Sequence, residues 1–123
     1  MKADEVEAFR KMAAQLDALH QEMLTASKKS PDKPVSAFKV KFVNAVLAQA
    51  DDVLGASRPA LGFSQFDEED LPTASDMSLI ITQYVECAEK VRCENISRHY
   101  DGVWHWRVAG STTEIVTSPP RNR

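Results

Sequence analysis

Along the first thirty residues the apolar positions recur at a helical spacing. Phe9, Met12, Leu16, Leu19 and Met23 fall at alternating steps of three and four, and Ala26 continues the series. This is an a/d heptad stripe, the pattern of a helix that lays one narrow seam on a neighbour or on a dimer partner. Lys28 and Lys29 stand where cations favour a helix C-terminus, and Pro31 ends the run. A second helix is expected to begin between Asp32 and Ser36, with Pro34 in its first turn, where a missing N–H costs nothing. Its predicted core face carries Val35, Phe38, Phe42, Val46, Ala50 and Val53, widened by Val43, Leu47 and Leu54. Gly55 stops it and Pro59 lies beyond. Short connections make antiparallel neighbours, so the first two helices are predicted to form an αα-hairpin.

No period runs through the next segment, ASRPALGFSQFDEEDLPT, about eighteen residues long. Loops of this length inside a compact domain are uncommon and often functional. Phe63, Phe66 and Leu71 are expected to pin it to the core. The third helix starts near Thr73 or Ser75, where Thr73 and Asp76 have the spacing of a capping box. Met77, Ile80, Ile81, Tyr84, Cys87 or Ala88, and Val91 give it an apolar face; Glu86, Glu89, Lys90, Arg92 and Glu94 mark the predicted wet side.

After Ile96 the period falls to two. Trp104, Trp106 and Val108 alternate with Val103, His105 and Arg107, and AGS supplies a turn before the β-formers of Thr112–Thr117. This predicts a C-terminal β-hairpin. Asp101–Gly102 is itself a turn signal, which leaves open a further strand over Ile96–Tyr100. An isolated hairpin is marginal in water, so the Trp104/Trp106 face is expected to be its adhesive against the helices. The fold predicted is α+β: a three-helix layer, made of an antiparallel helix hairpin and a third helix, with a C-terminal β-hairpin packed on it. Residues 1–118 are read as a single globular domain and 119–123, PPRNR, as a mobile basic tail.

Composition narrows the function. The chain has 123 residues, 43% of them hydrophobic and 27% charged, which suits one folded domain. Fifteen basic and 18 acidic residues give a net charge of −3, which does not favour a general nucleic-acid binder. No apolar run approaches the ~20 residues of a membrane span, and the charged, amphipathic N-terminus is no secretory signal, so a cytoplasmic protein is expected. Cys87 and Cys93 are too far apart along one helix to bridge, and read as reduced thiols. G-x-S-x-G, the P-loop, the dinucleotide fingerprint, H-E-x-x-H and C-x-x-C do not occur, and no cofactor is expected.

The chemistry that remains is that of contact. Asp67, Glu68, Glu69 and Asp70 form an acidic run that suits docking to a basic partner; consecutive carboxylates point different ways and do not suit a cation loop. His105 and Arg107, on the polar face of the hairpin, are the other predicted contacts. The main reading is therefore a small non-catalytic accessory or regulatory module that binds another protein, itself a homodimer. A nucleic-acid-associated protein using the Lys28–Lys41 segment, Arg107 and the basic tail is the alternative. A metal- or cysteine-dependent enzyme around Cys93, His99 and His105, with Asp101 as a further ligand, is the third.

Overall fold

The computed structural model describes residues 1–59, 62–110 and 114–121. Three helices, α1 (Ala3–Lys29), α2 (Ala37–Leu54) and α3 (Ala74–Glu94), are followed by three short strands, β1 (Ile96–Arg98), β2 (Trp104–Trp106) and β3 (Val116–Thr117). The fold is α+β, a helical layer carrying an antiparallel sheet in the order β1-β2-β3. The strand left open by Asp101–Gly102 is present as β1. His99 carbonyl accepts from Gly102, whose φ of 84° turns the chain back so that Ile96 pairs with Trp106. Residues 111–113 of the second turn lie outside the described set, and of the predicted Thr112–Thr117 strand, Val116 and Thr117 are assigned.

The heptad stripe of α1 is buried along its whole length, from Val6 and Phe9 through Met23, and α1 lies against both other helices, more extensively against α3. Trp106 is buried and meets the Phe9 ring edge-on, with centroids 5.3 Å apart, while Trp104 is half-buried against the same core. The N-terminus ties the sheet further: Ala109 N–H donates to Met1 carbonyl and Met1 ammonium to Arg107 carbonyl.

Three expectations need correction. The α2 core face is turned away from the predicted one: Val40, Val43, Val46, Leu47, Ala50 and Leu54 are buried, while Phe38 is 85% and Phe42 54% exposed. An apolar sequence with valines and alanines on most sides of the helix fits more than one face, and here the valine-rich side wins contact with α1 and α3. Pro34 is not in the first turn of α2. Ser36 caps that helix, accepting from Lys39 N–H, and Pro34 instead pairs with Thr73 in an isolated bridge.

The third correction concerns α3. Glu89 and Arg92, read as wet, are 6% and 8% exposed. They are covered because the chain from Thr117 to Arg121 straps across them, so the tail is held as far as Arg121 by hydrogen bonds to Arg92, Glu89 and Asp17. Of the predicted 119–123 tail, Pro119 and Arg121 make these contacts. Residues 122 and 123 lie outside the described set. No described helix is long and apolar enough to cross a membrane.

Candidate interaction surface

The acidic run is exposed, and it is mounted rigidly. At its start, the Asn44 side chain on α2 closes a two-point clasp on the Phe66 backbone: Nδ2 donates to the carbonyl at 2.9 Å and Oδ1 accepts from the N–H at 2.8 Å. Phe66 is itself buried, edge-on to Phe63 with centroids 4.8 Å apart. At its end, Pro72 carbonyl accepts from Val35 N–H, and Ala74 and Ser75 N–H donate to Lys33 and Pro31 carbonyls. The loop thus runs back along the first half of α2 between two pins. Asp67, Glu68, Glu69 and Asp70 lie between the pins, all four exposed and, among the described residues, in no ion pair. Asp67 carboxylate accepts from Glu69 N–H at 2.8 Å, which fixes the bend.

Beside this loop lies the outward face of α2. Phe38, Phe42 and Ala45 follow one another at helical steps on the side opposite the core, flanked by Lys41, Ala48 and Asp52, all of them exposed. Neither Lys41 nor Asp52 takes part in an ion pair among the described residues. Two exposed phenylalanines one turn apart are not the scatter of single apolar residues ordinary on a soluble surface. Of the other lysines of the Lys28–Lys41 segment, Lys39 is bound to Glu22 at 2.6 Å. Lys29, Lys33 and Lys39 rim a cavity of about 420 Å³ floored by Met23, Val35 and Leu71.

The hairpin residues are placed differently from the expectation. His105 is 5% exposed, not on a solvent face: its ring lies flat on His99, with centroids 3.8 Å apart and planes 14° from parallel. Its Nδ1 is buried with no hydrogen-bond partner. The short strands and the tight turn at Gly102 fold His99 back over β2, which is why both faces of the strand are covered. Arg107 is exposed, and its guanidinium donates to the Glu94 carbonyl at the end of α3, where cations satisfy unpaired carbonyls.

His99 and His105 therefore come together, but as stacked rings and without Asp101, whose carboxylate accepts from Val103 N–H. Cys93 lies elsewhere and donates to Glu89 at 3.4 Å. Among the described residues, no group of three or more His, Cys, Asp and Glu side chains is placed to share a metal ion. Cys87 and Cys93 are not disulfide-bonded, and burial pushes the Cys87 thiol pKa up, against the pull of Lys90. His20 sits at the α1–α3 boundary with Nε2 3.1 Å from Thr82 Oγ1.

The charged groups of the strap are satisfied internally. All five guanidinium N–H of Arg92 find acceptors: two on the Glu89 carboxylate, and one each on Thr117 Oγ1 and the Ser118 and Pro119 carbonyls. Burial would push the Glu89 carboxyl up, but Arg92, the Arg121 amide and the Cys93 thiol hold it at about 2. Arg121 is engaged by Asp17 at 3.1 Å, so the tail arginine that could have met a phosphate has an internal partner.

Comparison with protein-family models, curated proteins and solved structures gave no significant match. Sequence periodicity missed Phe38 and Phe42 as surface residues and Asn44 as the loop anchor. The signals were present: Lys41 near the start and Asp52 near the end of α2 oppose the helix dipole, and Asn44 is a lone amide beside a valine-rich face.

Proposed function

We propose that the chain is a small non-catalytic module that binds another protein, presenting the acidic loop Asp67–Asp70 to a basic segment of its partner. One observation carries the reading: four adjacent carboxylates, exposed and free of ion pairs among the described residues, on a loop pinned at both ends by Asn44 and Val35. A pinned loop has already lost most of its conformational entropy, so a partner need not supply the cost of ordering it. Concentrated negative charge speeds encounter with a basic surface and sets its salt dependence. The same reading places the protein in the cytoplasm, where its two thiols stay reduced.

The test is affinity capture with the wild-type chain and with a chain carrying Asp67→Lys, Glu68→Lys, Glu69→Lys and Asp70→Lys. The expected result is a protein retained by the first and lost by the second, with the melting temperature unchanged and retention falling as salt rises. Equal retention by both chains removes the loop from the interface, and loss of the fold in the substituted chain makes the loop structural.

A further inference from the structure

The outward face of α2 carries an inference beyond the docking loop. We propose that this face pairs with a second copy of the chain, α2 against α2 in antiparallel orientation about a two-fold axis. A helix is ordinarily stabilised by acids in its first turn and bases in its last. In α2 neither is present: the lysines, Lys39 and Lys41, stand in its first half and the aspartates, Asp51 and Asp52, in its last turn. Lys39 is matched by Glu22, and Asp51 accepts from the Tyr84 hydroxyl at 2.8 Å. Lys41 and Asp52 are left exposed, with no ion pair among the described residues, on the same flank of the phenylalanine stripe.

An antiparallel copy supplies what the isolated helix lacks. It brings Asp52 of each chain toward Lys41 of the other, twice by symmetry, and sets the two helix dipoles head to tail. The same crossing resolves the apolar surface. With Asp52 opposite Lys41, Phe42 of each copy falls between Gln49 and Val53 of the other, and Ala45 meets Ala48 near the axis, so large side chains on one helix meet smaller ones on its mate and the backbones approach closely. A parallel pair would instead set Lys41 level with Lys41 and Asp52 level with Asp52 on opposite flanks, and bring neither to its opposite charge. The face is self-complementary in one orientation, which is the requirement of an isologous contact. One helix crossing buries less than the ~800 Å² per partner of a standard interface, so the dimer is expected to dissociate on dilution.

Sedimentation equilibrium over a concentration series on the full chain tests this. The wild type should move from monomer to twice the monomer mass, and Phe42→Glu should stay monomeric throughout. Asp52→Lys alone, or Lys41→Asp alone, should lose the dimer, and the double charge swap Lys41→Asp with Asp52→Lys should restore it. The swapped charges agree with the helix dipole, so misfolding does not account for a loss in the single variants, and circular dichroism checks that point. A wild type monomeric at every concentration overturns the proposal, as does a dimer untouched by Phe42→Glu or a double swap that fails to recover. The four-lysine loop variant should remain dimeric: its mass reports on the α2 face and its partner retention on the loop, so the two readings fail separately.

Discussion

Arg92 grips the carboxylate of Glu89, three residues earlier on α3, through two N–H···O bonds of 2.8 Å each. The pair is buried, and its remaining donors hold the strap from Thr117 to Pro119. Removing one partner of a buried pair leaves an uncompensated charge and costs about 3–5 kcal/mol. Arg92→Met should therefore destabilise strongly and also release the strap, whereas Glu89→Leu with Arg92→Leu should cost less than the two single changes together. Urea denaturation of the four members of that cycle measures the coupling; additive losses would show that the bidentate geometry contributes nothing.

The same carboxylate predicts a pH dependence with a definite direction. Burial opposes ionisation of Glu89, yet Arg92, Arg121 and Cys93 bring it from an ordinary 4.5 down to about 2. A group whose folded pKa lies below its unfolded value adds stability that is complete above the unfolded pKa. That contribution should disappear as the pH falls from about 4.5 toward about 2. Glu89→Gln lacks it, so the melting temperatures of wild type and variant should differ near neutrality and converge toward pH 2. Parallel curves across that range would mean the carboxyl is not held down in the folded state.

Asn44 is the residue through which the fold positions the acidic loop. Asn44→Ala removes both hydrogen bonds to the Phe66 backbone, a loss of about 1–3 kcal/mol. The effect should be local as well as global: amide exchange at Phe66 should rise, while the Val35 amide, bonded to Pro72 at the other pin, keeps its protection. Asn44→Asp should retain the bond from Phe66 N–H and lose the one to its carbonyl, and so fall between the two. Equal exchange at Phe66 in all three chains would show that the aromatic contact with Phe63 alone holds the loop.

These sites show which kinds of information a sequence carries. The stripe of α1 was legible residue by residue because its polar and apolar positions are cleanly divided, so one face fits the core. The change of period after Ile96 marked the sheet for the same reason. The face of α2 was not legible, because phenylalanine and valine stand on different sides of a helix short of polar residues, and tertiary packing decides between them. Glu89, Arg92 and His105 look like surface residues in any periodic reading. For the first two the burial comes from chain far away in sequence, the strap, and for His105 from the β1–β2 turn, which lays His99 on its ring. The acidic loop was visible as composition; its pinning by Asn44 was not, since a clasp between residues 22 apart leaves no local pattern.

His105 provides the sharpest test of how the sheet is sealed. It is 5% exposed, stacked on His99 at 3.8 Å, and its Nδ1 has no hydrogen-bond partner. A buried polar atom without a partner carries a desolvation penalty of about 1–3 kcal/mol that an apolar group of similar shape does not. A phenyl ring keeps the flat contact with His99 and has no such atom, so His105→Phe should melt at or above the wild-type temperature. His105→Ala removes the stacked ring and opens a gap between the turn and β2, so it should lower stability, and His99→Ala should do the same by uncovering the ring beneath. Thermal denaturation of the three variants separates the possibilities. A substantial loss in His105→Phe would show that the imidazole makes a polar contact that the stacking geometry does not reveal, and the sheet would then owe its closure to that contact instead of to the paired rings.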